Sequence, residues 1–134
     1  NKPERKERIN LLISKFELEA VQDTKAGHLS GGQKKKLVIA LSLLGNPKII
    51  LMDEPFAALD VMTINILQQI IVNLQSENNI SIILCDHQAR DLLSCVDTAI
   101  VISNCKIIAK GTPTELVNNT AAKNAYFGNS FKIN

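Results

Sequence analysis

The sequence predicts an α/β chain, and three observations carry that prediction. "KIILMDEP", residues 48–55, is a short continuous apolar run closed by two acids and a proline, the pattern of a strand buried on both faces of a parallel sheet. "ISIILCDH", residues 80–87, repeats the pattern and again ends in polar residues. Between them, "VMTINILQQIIVNLQSE" has helical periodicity. A strand, helix, strand order implies a right-handed crossover that lays the second strand parallel to the first.

The other elements follow in chain order. Residues 5–19 place Ile9, Leu12, Ile13, Phe16 and Leu18 close to helical spacing, so an amphipathic helix with Lys and Glu outside is expected. "QDTKAGH" breaks it. From Gln33, "QKKKLVIALSLLG" puts Leu37, Ala40, Leu41 and Leu44 on one stripe and stops at Gly45, Asn46 and Pro47. After the second strand, a short helix over residues 89–94 precedes "TAIVIS" and "KIIAKG", which only Asn104 and Cys105 separate. That spacing favours an antiparallel hairpin. Thr112 or Thr114, with Pro113 beside them, caps a further short helix, and residues 121–127 offer another. No internal repeat or low-complexity segment interrupts this order.

A chain of 134 residues is one domain or a large piece of one, and 46% hydrophobic with 21% charged residues suits a soluble globular core. The net charge of +2 is too small to point to nucleic acid, and the lysine block at 34–36 is expected to be a solvated helix face. Cys85, Cys95 and Cys105 are odd in number and too far apart for a Cys-x-x-Cys pair. Buried free thiols in a reducing compartment are expected of them. No apolar stretch is long enough to span a bilayer, and no signal sequence is visible. The chain opens at Asn1, and "NKPERKERIN" reads as the middle of a helical region, so a fragment of a longer protein is expected.

"GHLSGGQKKK", residues 27–36, sets a serine and two glycines at the start of a helix. The glycines allow close backbone approach, and a helix start offers spare N–H groups to a phosphate; an ordinary turn is the competing explanation. The two strands decide between them, because Asp53 and Glu54 end the first while Asp86 and His87 end the second. An acid at the end of a buried strand suits Mg²⁺ held through water, and the next acid is placed to orient or deprotonate an attacking water. A histidine one strand over can donate to a γ-phosphate as charge builds there. Structural roles compete residue by residue: Asp53 as a cap, Asp86 as a partner for a backbone N–H.

In this order and at these spacings, "LSGGQ" (29–33), "IILMDEP" (49–55), "ALD" (58–60) and "DH" (86–87) resemble the signature motif, Walker B segment, D-loop and switch histidine of ATP-binding cassette ATPases. The resemblance implies the P-loop NTPase, RecA-like fold, with residues 1–28 as the end of the helical subdomain and 29–134 as the C-terminal part of the ATPase core with its C-terminal helices. It implies ATP and Mg²⁺ as cofactors. Asp53 then corresponds to the metal-associated acid, Glu54 to the general base or water-positioning residue, and His87 to the γ-phosphate switch. Ser30, Gly31 and Gly32 would face a nucleotide held by the partner in a homodimer, with Leu29 and Gln33 completing the signature and Asp60 coupling the two sites. Further partners implied are inner-membrane permease subunits, with the ATPase on the cytoplasmic face of that membrane, no transmembrane segment of its own and no nucleic acid.

No stretch of the chain fits the G-x-x-x-x-G-K-[ST] phosphate loop, nor can the family's adenine contact and glutamine loop be placed. The chain is therefore expected to supply about half a site and to be inactive alone. Within the family, "KGTPTELVNNTAAKNAYFGNSFKIN" is similar to the end of lipopolysaccharide export ATPases. The ATPases of branched-chain amino acid importers share the Tyr-hydrophobic-Gly ending and are the nearest rival. The heads of chromosome-maintenance and DNA repair ATPases use the same motifs but would place a long coiled coil before the signature, and residues 1–20 carry no sustained heptads.

Overall fold

The first helix stops earlier than its apolar spacing suggests. In a computed structural model that describes residues 2–128, 130 and 131, α1 (Lys2–Lys15) is closed by Glu17, whose φ is 53°. The Leu18 N–H donates to the Ile13 carbonyl at 2.9 Å and the Glu17 N–H to Ser14 at 3.0 Å. This is the Schellman arrangement, with a glutamate where glycine is usual. The reversal sends both Phe16 and Leu18 into the core, 1% and 4% exposed.

Helix α2 (Gly31–Leu43) starts at a capping box in which Ser30 and Gln33 each bond the other's backbone N–H. Its buried face is Lys36, Ile39, Ala40 and Leu43. Of the expected stripe, Ala40 is buried and Leu37 packs half-buried against the core, whereas Leu41 and Leu44 are 55% and 37% exposed. The stripe is turned by about one position: Lys36 takes an inward place that its residue type does not announce.

Strands β1 (Ile49–Asp53) and β2 (Ser81–Cys85) pair in parallel, in register from Ile49 opposite Ser81 to Asp53 opposite Cys85. Helix α3 (Val61–Asn78) makes the connection between them and buries Ile64, Leu67, Ile71 and Leu74. Ile50 and, half-buried, Met52, Ile82 and Leu84 join these residues with Phe16, Leu18, Ile39, Ala40, Leu43 and Phe56 in the main core. The expectation of strands buried on both faces is corrected here. Side chains alternate along a strand, and Ile49, Leu51 and Ile83 point away from α3, 59%, 73% and 55% exposed.

A short α4 (Ala89–Leu93) leads to the expected hairpin of β3 (Ala99–Ser103) and β4 (Lys106–Gly111). Asn104 and Cys105 both have positive φ, 48° and 59°, as a two-residue type I′ turn requires. Thr112 caps α5 (Pro113–Asn118) in a second capping box with Glu115. Asn119 caps α6 (Thr120–Ala122), which widens into a π turn over Lys123–Phe127. Leu93, Val101, Ala109, Leu116 and Ala122 form a second, smaller core, and Leu92 packs against both. Between β2 and β3 lies a cleft of about 820 Å³, lined among others by Cys85, Ile100, Ile102 and Tyr126.

The cysteines also depart from expectation. Cys85 and Cys105 are exposed, and only Cys95 is half-buried. Burial, with Asp91 nearby, pushes the Cys95 thiol up to about 11. Asn1 and positions 129 and 132–134 of the C-terminal tail lie outside the described residues.

Candidate functional site

Strand pairing brings the two predicted polar ends together. Asp53 closes β1 with its residue exposed, and the next residue, Glu54, leaves the strand in a left-handed conformation with φ 45°. Its N–H donates to the Cys85 carbonyl at 2.7 Å, so the turn stays attached to the end of β2. The Glu54 carboxylate lies 3.6 Å from the His87 Nδ1, both side chains more than half exposed. That separation is too long for a hydrogen bond but leaves a carboxylate and an imidazole side by side at the C-terminal edge of parallel strands, where open α/β sheets bind ligands.

Asp86 holds this geometry. Its side chain is fully buried, and its two oxygens accept from the Phe56 N–H at 3.1 Å and the Gln88 N–H at 2.9 Å. One carboxylate thus ties the turn after Glu54 to the turn after His87. The His87 carbonyl accepts from the Ala89 N–H and from the Tyr126 hydroxyl, each at 3.0 Å. Asp86 is therefore a structural anchor, the competing role considered for it from sequence, while Glu54 and His87 stay open to solvent.

The second group of predicted residues meets at the N-termini of α2 and α3. Leu29 is buried. A Cβ on Gly31 would touch Leu59 at 3.4 Å, and one on Gly32 would lie 2.6 Å from the Thr63 Cγ2, closer than real Cβ contacts come. Gly32 is thus required where the start of α2 crosses the start of α3, whatever else it does, while at Gly31 a methyl would make only an ordinary contact. Asp60 is the N-cap of α3: it accepts from the Thr63 N–H at 3.0 Å and the Thr63 hydroxyl at 2.6 Å. These bonds, the hydroxyl first, hold its carboxyl below the usual aspartate range.

The lysine block is only in part the solvated face expected of it, with Lys34 alone exposed. Lys36 is 9% exposed and pairs with Glu17 at 2.9 Å, and Lys35 donates to the Glu54 carbonyl at 2.7 Å. Lys35 is the link between the two groups of site residues. Among the described residues, no cluster of three or more His, Cys, Asp or Glu could hold a metal by itself. Asp53 as a lone exposed carboxylate fits Mg²⁺, which is commonly held by one or two carboxylates together with substrate phosphates and water.

The ABC transporter family model matches residues 1–57. The chain is 35% identical over 130 residues to the lipopolysaccharide export system ATP-binding protein LptB of Escherichia coli (strain K12), covering 97% of this chain and 54% of that protein. LptB of Haemophilus influenzae matches with the same identity and coverage. Among solved structures, the ADP conformation of MJ1267, an ATP-binding cassette of an ABC transporter, superposes with a TM-score of 0.83 at 29% identity over 93% of this chain and 50% of that one. The chain belongs to the ATP-binding cassette family. The family fold is shared as well with cbiO1 from Clostridium perfringens, part of the ABC transporter complex cbiONQ, at a TM-score of 0.82 and 28% identity over 92% of this chain and 49% of that one. The chain spans about half the length of the curated relatives it matches.

Within this cassette chain, sequence reasoning missed Lys35, Thr63 and Tyr126. A signal existed for Thr63, since Asp60 three residues before it makes an Asp-x-x-Thr helix start. None existed for Lys35 or Tyr126, whose bonds reach 19 and 39 residues along the chain. No helix among the described residues is long and apolar enough to cross a membrane.

Proposed function

We propose that this chain forms the γ-phosphate-facing part of an ABC ATPase, and that the intact protein hydrolyses ATP to energise lipopolysaccharide export. The observation that carries the ATPase reading is the placement of Glu54 and His87 side by side at the ends of adjacent parallel strands. The Glu54 carboxylate accepts a proton from the attacking water, and the His87 imidazole donates to a γ-phosphate oxygen as negative charge gathers on it. Asp53, the last residue of β1, would help hold Mg²⁺, and the ion would supply charge that offsets that of the phosphates.

Ser30, Gly31 and Gly32 offer the start of α2 to the phosphate of a nucleotide carried by a second copy of the protein. Leu29 and Gln33 fix that helix start, one by burial and one by closing the capping box, and Asp60 couples the two sites of the homodimer. Residues 1–28 belong to the end of the helical subdomain and 29–134 to the RecA-like core. Identity of 35% to LptB proteins supports lipopolysaccharide as the cargo. Permease subunits then hold the ATPase on the cytoplasmic face of the inner membrane.

Glu54→Gln in the intact protein tests the site. ATP affinity is expected to stay and hydrolysis to fall about 10²- to 10⁴-fold, because an amide cannot accept the proton. Turnover at the parent rate overturns the assignment. Depletion of the intact protein, with lipopolysaccharide followed between the two membranes, tests the cargo. Normal lipopolysaccharide transport together with failed branched-chain amino acid uptake overturns it.

A further inference from the structure

We propose that Lys35 is a positioning residue for Glu54: its ammonium, bonded to the Glu54 carbonyl, holds the backbone that aims the Glu54 carboxylate. The inference rests on the ATPase reading of Glu54.

Glu54 is held where its own preferences would not keep it. Its φ of 45° is left-handed, a region costly for a side chain with a Cβ. Pro55 follows, and the residue before a proline is pushed toward extended backbone. A conformation disfavoured twice over persists only where neighbours over-determine it.

Three contacts do so. The Glu54 N–H is fixed to the Cys85 carbonyl at 2.7 Å, and the Glu54 carbonyl accepts from the Ala57 N–H at 3.3 Å and from the Lys35 Nζ at 2.7 Å. The Ala57 bond is long and lies within the same turn. Lys35 supplies the short, charge-assisted bond, and it comes from another element. It stands on α2, five residues after the Ser30 cap. The helix that carries Ser30, Gly31 and Gly32 thereby grips the peptide of Glu54, so a shift of the α2 start is passed to the carboxylate.

The test uses the intact protein with Lys35→Met, Lys35→Arg, Glu54→Gln and the Lys35→Met/Glu54→Gln pair. Lys35→Met is expected to lower kcat at least about tenfold, as small displacements of reacting groups do, with KM for ATP within about twofold. Lys35→Arg restores most of the rate, because a guanidinium can also donate to the carbonyl. In the Glu54→Gln background, Lys35→Met is expected to cost nothing further, since both act through one group. Amide exchange at Glu54 reads the clamp without reference to catalysis, and it should quicken about tenfold in Lys35→Met.

Unchanged kcat and unchanged Glu54 exchange in Lys35→Met overturn the proposal, as does full additivity in the double variant. Should Lys35→Met fail to fold, Lys35→Gln carries the same measurements, and failure of both to fold overturns it in favour of a purely structural lysine. Parent turnover in Glu54→Gln instead overturns the assignment of Glu54 as the base, while faster Glu54 exchange in Lys35→Met would still uphold the clamp.

Discussion

Gly32 shows how much a hydrogen atom in place of a methyl group can decide. Gly32→Ala puts a methyl 2.6 Å from the Thr63 Cγ2, and overpacking of this kind typically costs about 1–3 kcal/mol. Thr63→Ser removes the offending methyl and keeps the hydroxyl that Asp60 accepts from. The double variant is therefore expected to recover most of the stability lost by Gly32→Ala, measured by denaturant unfolding, and no recovery would mean that the clash lies elsewhere. The same threonine sets a pH dependence. Its bonds depress the Asp60 pKa, so the cap is fully present above the ordinary aspartate range and is lost as pH falls through the lower native value. The Thr63 amide, followed by NMR, should titrate below about 3.9, the usual aspartate value. The Ser-Gly-Gly start and the Asp53, Glu54, Asp86 and His87 strand ends were legible because residue type and chain position announce them. The collision partner of Gly32 was not, since a glycine says that something comes close but not what.

At the scale of elements, the segment after α1 is tied to α2 through the Glu17 and Lys36 pair, 2.9 Å apart. Hydrogen bonding to the Lys36 ammonium, with its charge, lowers the Glu17 pKa. Glu17→Gln leaves a nearly buried ammonium with a weaker partner and is expected to cost about 1 kcal/mol, a modest figure because Glu17 itself is wet. Lys36→Met, which removes the charge that has to be buried, should cost less. A larger loss for Lys36→Met, read by urea midpoint, would show that the pair stabilises beyond its desolvation. The β1, α3, β2 order and the hairpin could be read from periodicity and turn residues, but the inward face of α2 could not. Periodicity counts apolar residues, and here a lysine long enough to find a carboxylate occupies the inner stripe, moving Leu41 and Leu44 outward.

Across the whole molecule, two cores of unequal size share Leu92. The smaller one, with Val101, Ala109 and Leu116, should open first. Amides of β3 and β4 are expected to exchange faster than those in the middle of α3, where Leu67 and Leu74 are fully buried. Equal exchange across both would mean that the two cores unfold as one. The strands were predicted as fully buried because Ile and Leu occupy both faces, and the side away from α3 faces solvent through Ile49, Leu51 and Ile83. That bare plane governs how this chain behaves in a test tube. Sulfate, which strengthens the burial of apolar surface by being excluded from it, should drive this chain into aggregates at concentrations that leave an ordinary soluble domain dispersed. Leu51→Lys is expected to raise that threshold while changing the folding free energy by no more than about 0.5 kcal/mol, so light scattering and unfolding curves would part company in this one variant.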